Sequence, residues 1–166
     1  MIVYRYLLML LSAFVFLGCS TMYQPNSFTG GYSETRLSEN VFNVVFKGNR
    51  YTGWERASDF TLLRSAELTL NNDYKYFVIA SSEKHADYSA YTTAKTYNTT
   101  FQASTYGNQT YGSANTISNG GDTHISSRPS TNNTIVCFKE KPNTNDVIYD
   151  AQFIIKSIKT KYKIEE

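Results

Sequence analysis

The chain has 166 residues, 16 basic against 14 acidic side chains for a formal net charge of +2, and a composition that is 41% hydrophobic and 15% aromatic. That length supports one domain with a real core and excludes two of comfortable size. The charges nearly balance and are scattered, which excludes the basic stripe a nucleic-acid partner needs.

In chain order, Arg5 is the only charge before a weakly polar to apolar run from Tyr6 to Leu17. A basic start followed by a short apolar run is the pattern of a secretory signal peptide, expected here over residues 1–18 and removed. A membrane-spanning helix needs about 20 apolar residues, and this run stops at Gly18-Cys19. Residues 19–31, with Pro25, Asn26, Gly30 and Gly31, read as a tether that lets a single domain over 32–166 stand off the bilayer. Val41 to Lys47 alternates, with Phe42, Val44 and Phe46 on one side, and predicts a half-buried strand.

Thr52-Gly53-Trp54-Glu55 fits a capping box, in which the Thr52 hydroxyl and the Glu55 carboxylate each satisfy a free amide of a first helical turn. The helix should begin at Gly53, with Ala57, Phe60, Leu63, Ala66 and Leu70 forming its apolar stripe. Asn71-Asn72-Asp73 should stop it. Tyr74 to Ser82, rich in aromatic and β-branched residues, predicts a second strand. Strand, helix and strand suggest a parallel crossover, with or without another strand between.

Residues 88–133 change character. Ser, Thr, Asn, Gly and Tyr dominate, and Lys95, Asp122 and Arg128 are the only charged side chains. Such a segment cannot offset its own ordering entropy by burial, so a long hairpin or loop is expected. Thr134 to Lys141 predicts a third strand. A last helix is expected from an Asp146 N-cap, with Val147, Ala151, Ile154, Ile155, Ile158 and Tyr162 at helical spacing and lysines toward its end; a strand over Val147 to Ile155 competes with it. The fold class expected is α+β: a small sheet of about three to five strands packed on two helices, with the Tyr/Ser/Thr/Asn-rich segment inserted.

Groups able to do chemistry are few. His85 and His124 flank the polar segment, with Asp87 and Asp122 beside them, and are weak metal candidates whose spacing matches no compact motif. Cys137 lies in a β-like stretch and reads as a small buried hydrophobe. No nucleophile elbow is visible, so no catalytic residue is assigned. Tyr91, Tyr97, Phe101, Tyr106 and Tyr111 are the best candidates for a binding surface, because tyrosines combine apolar area, a hydroxyl and low rotamer cost. Cross-strand stacking of a solvated hairpin accounts for them equally well.

The residues Phe16-Leu17-Gly18-Cys19 resemble the lipobox, at which bacteria attach diacylglycerol to the cysteine thiol, cleave before it and acylate the new amino terminus. The usual pattern has Leu three places before the cysteine and a small residue next; here those places hold Phe16 and Leu17. The resemblance implies S-diacylglycerol and N-acyl lipid on Cys19, no other cofactor, membrane lipid as a partner, and a bacterial cell-envelope address. Ser20 stands where Asp retains lipoproteins in the inner membrane, which implies the outer membrane, with the domain in the periplasm or at the cell surface. The block GGYSETRLSENVFNVVFKGNRYTGWERASDFTLLRSAELTLNNDYKYFVI, with Cys137 to Pro142, Tyr149-Asp150-Ala151 and Tyr23-Gln24-Pro25, is similar to a family of small bacterial lipoproteins of unknown function. That similarity implies the same address and transfers no functional residue beyond Cys19. The leading expectation is a non-catalytic envelope lipoprotein that binds an envelope protein or polysaccharide through its Tyr-rich segment; the alternative is a periplasmic hydrolase with an unrecognised site.

Overall fold

A computed structural model describes residues 20–165. The expected signal peptide over 1–18 and the lipid-bearing Cys19 lie outside these residues. Among the described residues the fold is α+β, with a five-stranded and a two-stranded sheet and two helices. The chain divides into two compact units, a core unit running to Asp87 and resuming at Ser127, and a second unit of Tyr88–Ser126.

In the core unit β1 (Gly31–Arg36) and β2 (Val41–Lys47) pair antiparallel, and β2 pairs antiparallel with β6 (Thr123–Phe138). The sheet order is β1-β2-β6-β3-β7, where β3 is Tyr76–Thr92 and β7 is Tyr149–Asp150. Lys75 N–H donates to Phe138 O at 2.9 Å and Ser82 Oγ to Asn133 Oδ1 at 2.8 Å, so β3 runs antiparallel to β6. β2 and β3 are therefore parallel with β6 between them. The crossover read from the sequence is present, and it skips one strand. β1, which sequence patterning missed, is largely exposed along Ser33–Arg36 and lies at the sheet edge, so it carries no alternating apolar signal.

The register explains the core. Phe42 faces Ile135, Val44 faces Asn133 and Phe46 faces Thr131, and all six side chains are buried. Against this face lies α1 (Trp54–Asn71), which buries Ala57, Phe60, Leu63, Ala66 and Leu68. Leu70, expected in the stripe, is exposed instead. Its place is taken by a column of hydroxyls: Thr61 donates to Ala57 O at 2.9 Å, Ser65 to Thr61 O at 2.8 Å and Thr69 to Ser65 O at 2.8 Å. Each hydroxyl satisfies itself on its own helix and can be buried without cost for an unpaired group. The column meets β6, Thr61 bonding Thr131 and Thr69 bonding the Cys137 sulfur.

The capping box does not form. Gly53 is the N-cap and offers no side chain, while Thr52 Oγ accepts from Thr21 N–H at 3.1 Å and Glu55 pairs with Lys161. Thr52 is recruited by the N-terminal segment, which competes successfully for its oxygen. The stop is as expected: Asn72 Nδ2 donates to Leu68 O at 2.9 Å and Asp73 takes φ 63°. The last helix, α2 (Ala151–Tyr162), starts later than the sequence suggests. Its N-cap is Asp150, which accepts from Phe153 N–H at 3.0 Å; Val147 is outside the helix and exposed, and Thr144 rather than a helix amide engages Asp146. Tyr149 is held by pairing with Phe77 in β7, which delays the first helical turn.

Residues 20–31 are not a tether. Thr21 is buried, Tyr32 N–H donates to Gln24 O at 2.8 Å, and Tyr23 packs on Tyr32 and Phe60 at ring distances of 4.8 and 5.4 Å. Phe60 also meets Phe46 and Tyr162, so one aromatic cluster joins the N-terminal segment, the sheet and both helices. Tyr23 donates its hydroxyl to Glu67, which also pairs with Arg64. Burial, followed by the Glu67 bond, pushes the Tyr23 phenol far above its ordinary 10.0, and burial raises Tyr162 in the same direction. The folded state keeps these protons where the unfolded chain gives them up, so their stabilisation is whole below pH 10 and is lost as the pH rises beyond it. A urea midpoint followed through the alkaline range is expected to fall steeply above that point and to fall less steeply in Tyr23→Phe; equal slopes would place the loss elsewhere.

Candidate binding surface

The second unit contains a ribbon of β4 (Thr96–Tyr106) paired antiparallel with β5 (Gln109–Asn119). Gly107 and Asn108 form the two-residue connection, and Gly107 takes φ 62°, the left-handed conformation that a tight hairpin turn demands. At the base Gly120 takes φ 86°, where a Cβ would stand 2.2 Å from Ala94 O. No charged residue occurs between Lys95 and Asp122. Every residue of both strands is exposed.

Side chains alternate across a strand, so the register assigns each aromatic candidate a face. Tyr97 and Phe101 share one face, opposite Ser118 and Ala114, and threonine pairs at 99–116 and 105–110 bond there at 2.9 and 3.1 Å. That face carries no amide side chain. Tyr106 and Tyr111 occupy the other face with Asn98, Gln102, Gln109, Asn115 and Asn119. Tyr91 lies in β3, where its ring stacks on His124 at 5.0 Å. The five rings expected to make one surface are thus divided between two faces and a neighbouring strand.

The remaining candidates are accounted for locally. His85 pairs with Asp87 at 3.3 Å and both are largely exposed, while His124 is engaged by Tyr91. Among the described residues no group of three or more His, Cys, Asp and Glu is placed to hold a metal ion. Cys137 is buried in β6; burial pushes its thiol up, partly offset by the Thr69 bond, so it stays protonated and poorly nucleophilic.

The core unit also holds a cleft of about 390 Å³ that sequence reading missed. Asn26 to Gly30, Lys47 to Tyr51, Asp87 and Arg128 to Ser130 line it. Ser27 and Gly30 exchange backbone hydrogen bonds at 3.0 and 3.1 Å, and Gln24 Nε2 donates to Ser27 Oγ and Thr29 Oγ1, which fixes the turn that carries Phe28. The phenyl ring is wholly exposed. Among the described residues Lys47, Arg50 and Arg128 enter no ion pair. The signal was hidden because two of these stretches read as tether and low-complexity loop, and nothing in the sequence brings them beside Lys47.

Comparison of the chain with protein-family models, curated proteins and solved structures finds no match.

Proposed function

We propose that the protein is a non-catalytic lipoprotein of the bacterial cell envelope, held by lipid on Cys19, that binds an envelope protein or polysaccharide through its Tyr-rich segment. In this reading residues 88–133 are an insertion of hairpin form in an α+β domain, and Ser20 directs the protein to the outer membrane. The observation that carries it is the ribbon itself: 22 residues in two strands, all exposed, with rings on both faces. A two-stranded ribbon is marginal in water, and its exposed rings offer apolar area that a partner can cover. The face with Tyr97 and Phe101 is free of amides, with the Lys95 ammonium over the Tyr97 ring at 5.6 Å, and its Phe101 end suits stacking against sugar rings or another apolar surface.

The test is affinity electrophoresis of the mature protein through gels containing envelope polysaccharide, together with crosslinking in intact envelopes from a photoreactive group at position 103, on the same face as Phe101. The double variant Tyr97→Ala/Phe101→Ala is expected to lose about 1–3 kcal/mol of binding, the usual worth of a truncated aromatic contact, with its thermal midpoint unchanged. Retardation in the gel identifies a glycan, and a discrete crosslinked protein identifies a protein partner. Wild-type and double-variant protein behaving alike in both assays would remove the Tyr-rich segment from the function.

A further inference from the structure

We propose that the face of the core unit carrying Phe28, Tyr51, Lys47, Arg50 and Arg128 docks on the bilayer, with the cations on phospholipid phosphates and the Phe28 ring inserted at the interface. The inference rests on lipid at Cys19. Its first support is how firmly the residue two places after Cys19 is held. Thr21 is 2% exposed; its N–H donates to Thr52, and its hydroxyl donates to Thr29 O at 3.0 Å and accepts from Asn49 N–H at 2.8 Å. Ser20, one residue earlier, accepts from Arg56. Consecutive Cα atoms are about 3.8 Å apart, so acyl chains on Cys19 enter the membrane within one residue of a fixed point on the core unit. There is no slack for the domain to stand away.

The second support is what surrounds that point. Thr29 and Asn49, the partners of Thr21, are the sequence neighbours of Phe28 and Arg50, and both line the cleft. Lys47, Arg50 and Arg128 line the cleft with a single carboxylate, Asp87. The guanidinium of Arg50, an exposed residue, lies over the Tyr51 ring at 5.4 Å. A juxtamembrane Lys or Arg is drawn to anionic lipid, a Tyr ring such as that of Tyr51 settles at the level of the headgroups, and a Phe ring buries into the boundary between headgroups and acyl chains. Phe28 sits on a turn braced by two backbone bonds, so inserting it forfeits little conformational freedom.

The test places the acylated full-length protein in phosphatidylcholine vesicles with and without phosphatidylglycerol, using lipids brominated along the acyl chain. Trp54 is the only tryptophan, so Trp54→Phe clears the background and Phe28→Trp or Phe153→Trp supplies a single reporter. Phe153 follows β7, which pairs with the start of β3, at the strand ends opposite Lys47 and Ser130. Quenching of the Phe28→Trp reporter with phosphatidylglycerol and little at Phe153→Trp is expected. Arg50→Gln and Arg128→Gln, both at exposed positions, should each lower the docked-to-undocked ratio about fivefold. Equal quenching at the two reporters, or quenching indifferent to phosphatidylglycerol, overturns the docking face. Mass spectrometry of the N-terminal peptide from the same vesicles separates the two readings: acylated Cys19 with an unquenched Phe28→Trp overturns docking alone, and an unmodified Cys19 overturns the anchor beneath it.

Discussion

Phe46→Ala is expected to cost about 3–5 kcal/mol, the range for deleting a buried aromatic ring, and to leave the protein close to unfolded, since small domains hold only about 5–15 kcal/mol in total. Phe46 is 0% exposed, faces Thr131 across the β2–β6 pair and meets Phe60 edge-on at 5.2 Å. Phe60 in turn carries Tyr23 and Tyr162. The cavity therefore opens at the one place where the N-terminal segment, the sheet and both helices converge, and no neighbour can collapse into it without releasing another. Urea unfolding should show a lower midpoint at an unchanged slope. Phe153→Ala, on the exposed side of α2, should shift the midpoint by less than about 0.5 kcal/mol. A Phe46→Ala midpoint within that same margin would contradict the assignment of the core.

Gly31→Ala should be nearly as damaging for a different reason. Gly31 takes φ 132°, and a Cβ there would lie 2.5 Å from Gln24 O and 2.6 Å from Pro25 O. Backbone in this region is essentially reserved for glycine and costs other residues about 1–3 kcal/mol. The clash adds to that, because both contacts are main-chain atoms held by the bonds of Asn26 and Tyr32. Relief requires the 21–30 segment to lift, which removes Thr21 from Thr52 and Asn49. Gly53→Ala is the matched control: it has φ −76° and nothing within 4 Å of its Cβ position, so it should be neutral within about 0.5 kcal/mol. Thermal melts of the two variants side by side decide the matter.

What the sequence made legible was the part in which burial imposes a period. Phe42, Val44 and Phe46 alternate because one face of β2 is covered, and Ala57, Phe60, Leu63 and Ala66 recur at helical spacing because one side of α1 does the covering. Thr61, Ser65 and Thr69 escaped notice because a hydroxyl that bonds its own helix is buried like an alanine yet reads as polar. The capping box failed for a related reason: local pattern cannot reveal that Thr21, 31 residues away, claims the Thr52 oxygen. Residues 21–31 looked like a linker because they are small, polar and glycine-containing. Their order comes from main-chain bonds and from two glycines at positive φ, which leave no hydrophobic period. The cationic cleft was illegible because it gathers four separate stretches of chain.

The position of β6 has a consequence for how the protein is made. β2 and β3 emerge from synthesis as neighbours joined by α1, yet neither is the other's partner; the strand that fills the space between them arrives about 50 residues after β3 begins. Until Thr131 to Cys137 has been delivered, α1 has no Thr131 or Cys137 to meet, and β2, paired with β1 along one edge, has no partner along the other. A chain emerging in order therefore has the β2 and β3 edges that β6 will fill still unpaired. Its closing step is the insertion of a central strand rather than the addition of an outer one, so shortening the chain before Phe138 should leave no stable remnant of the sheet.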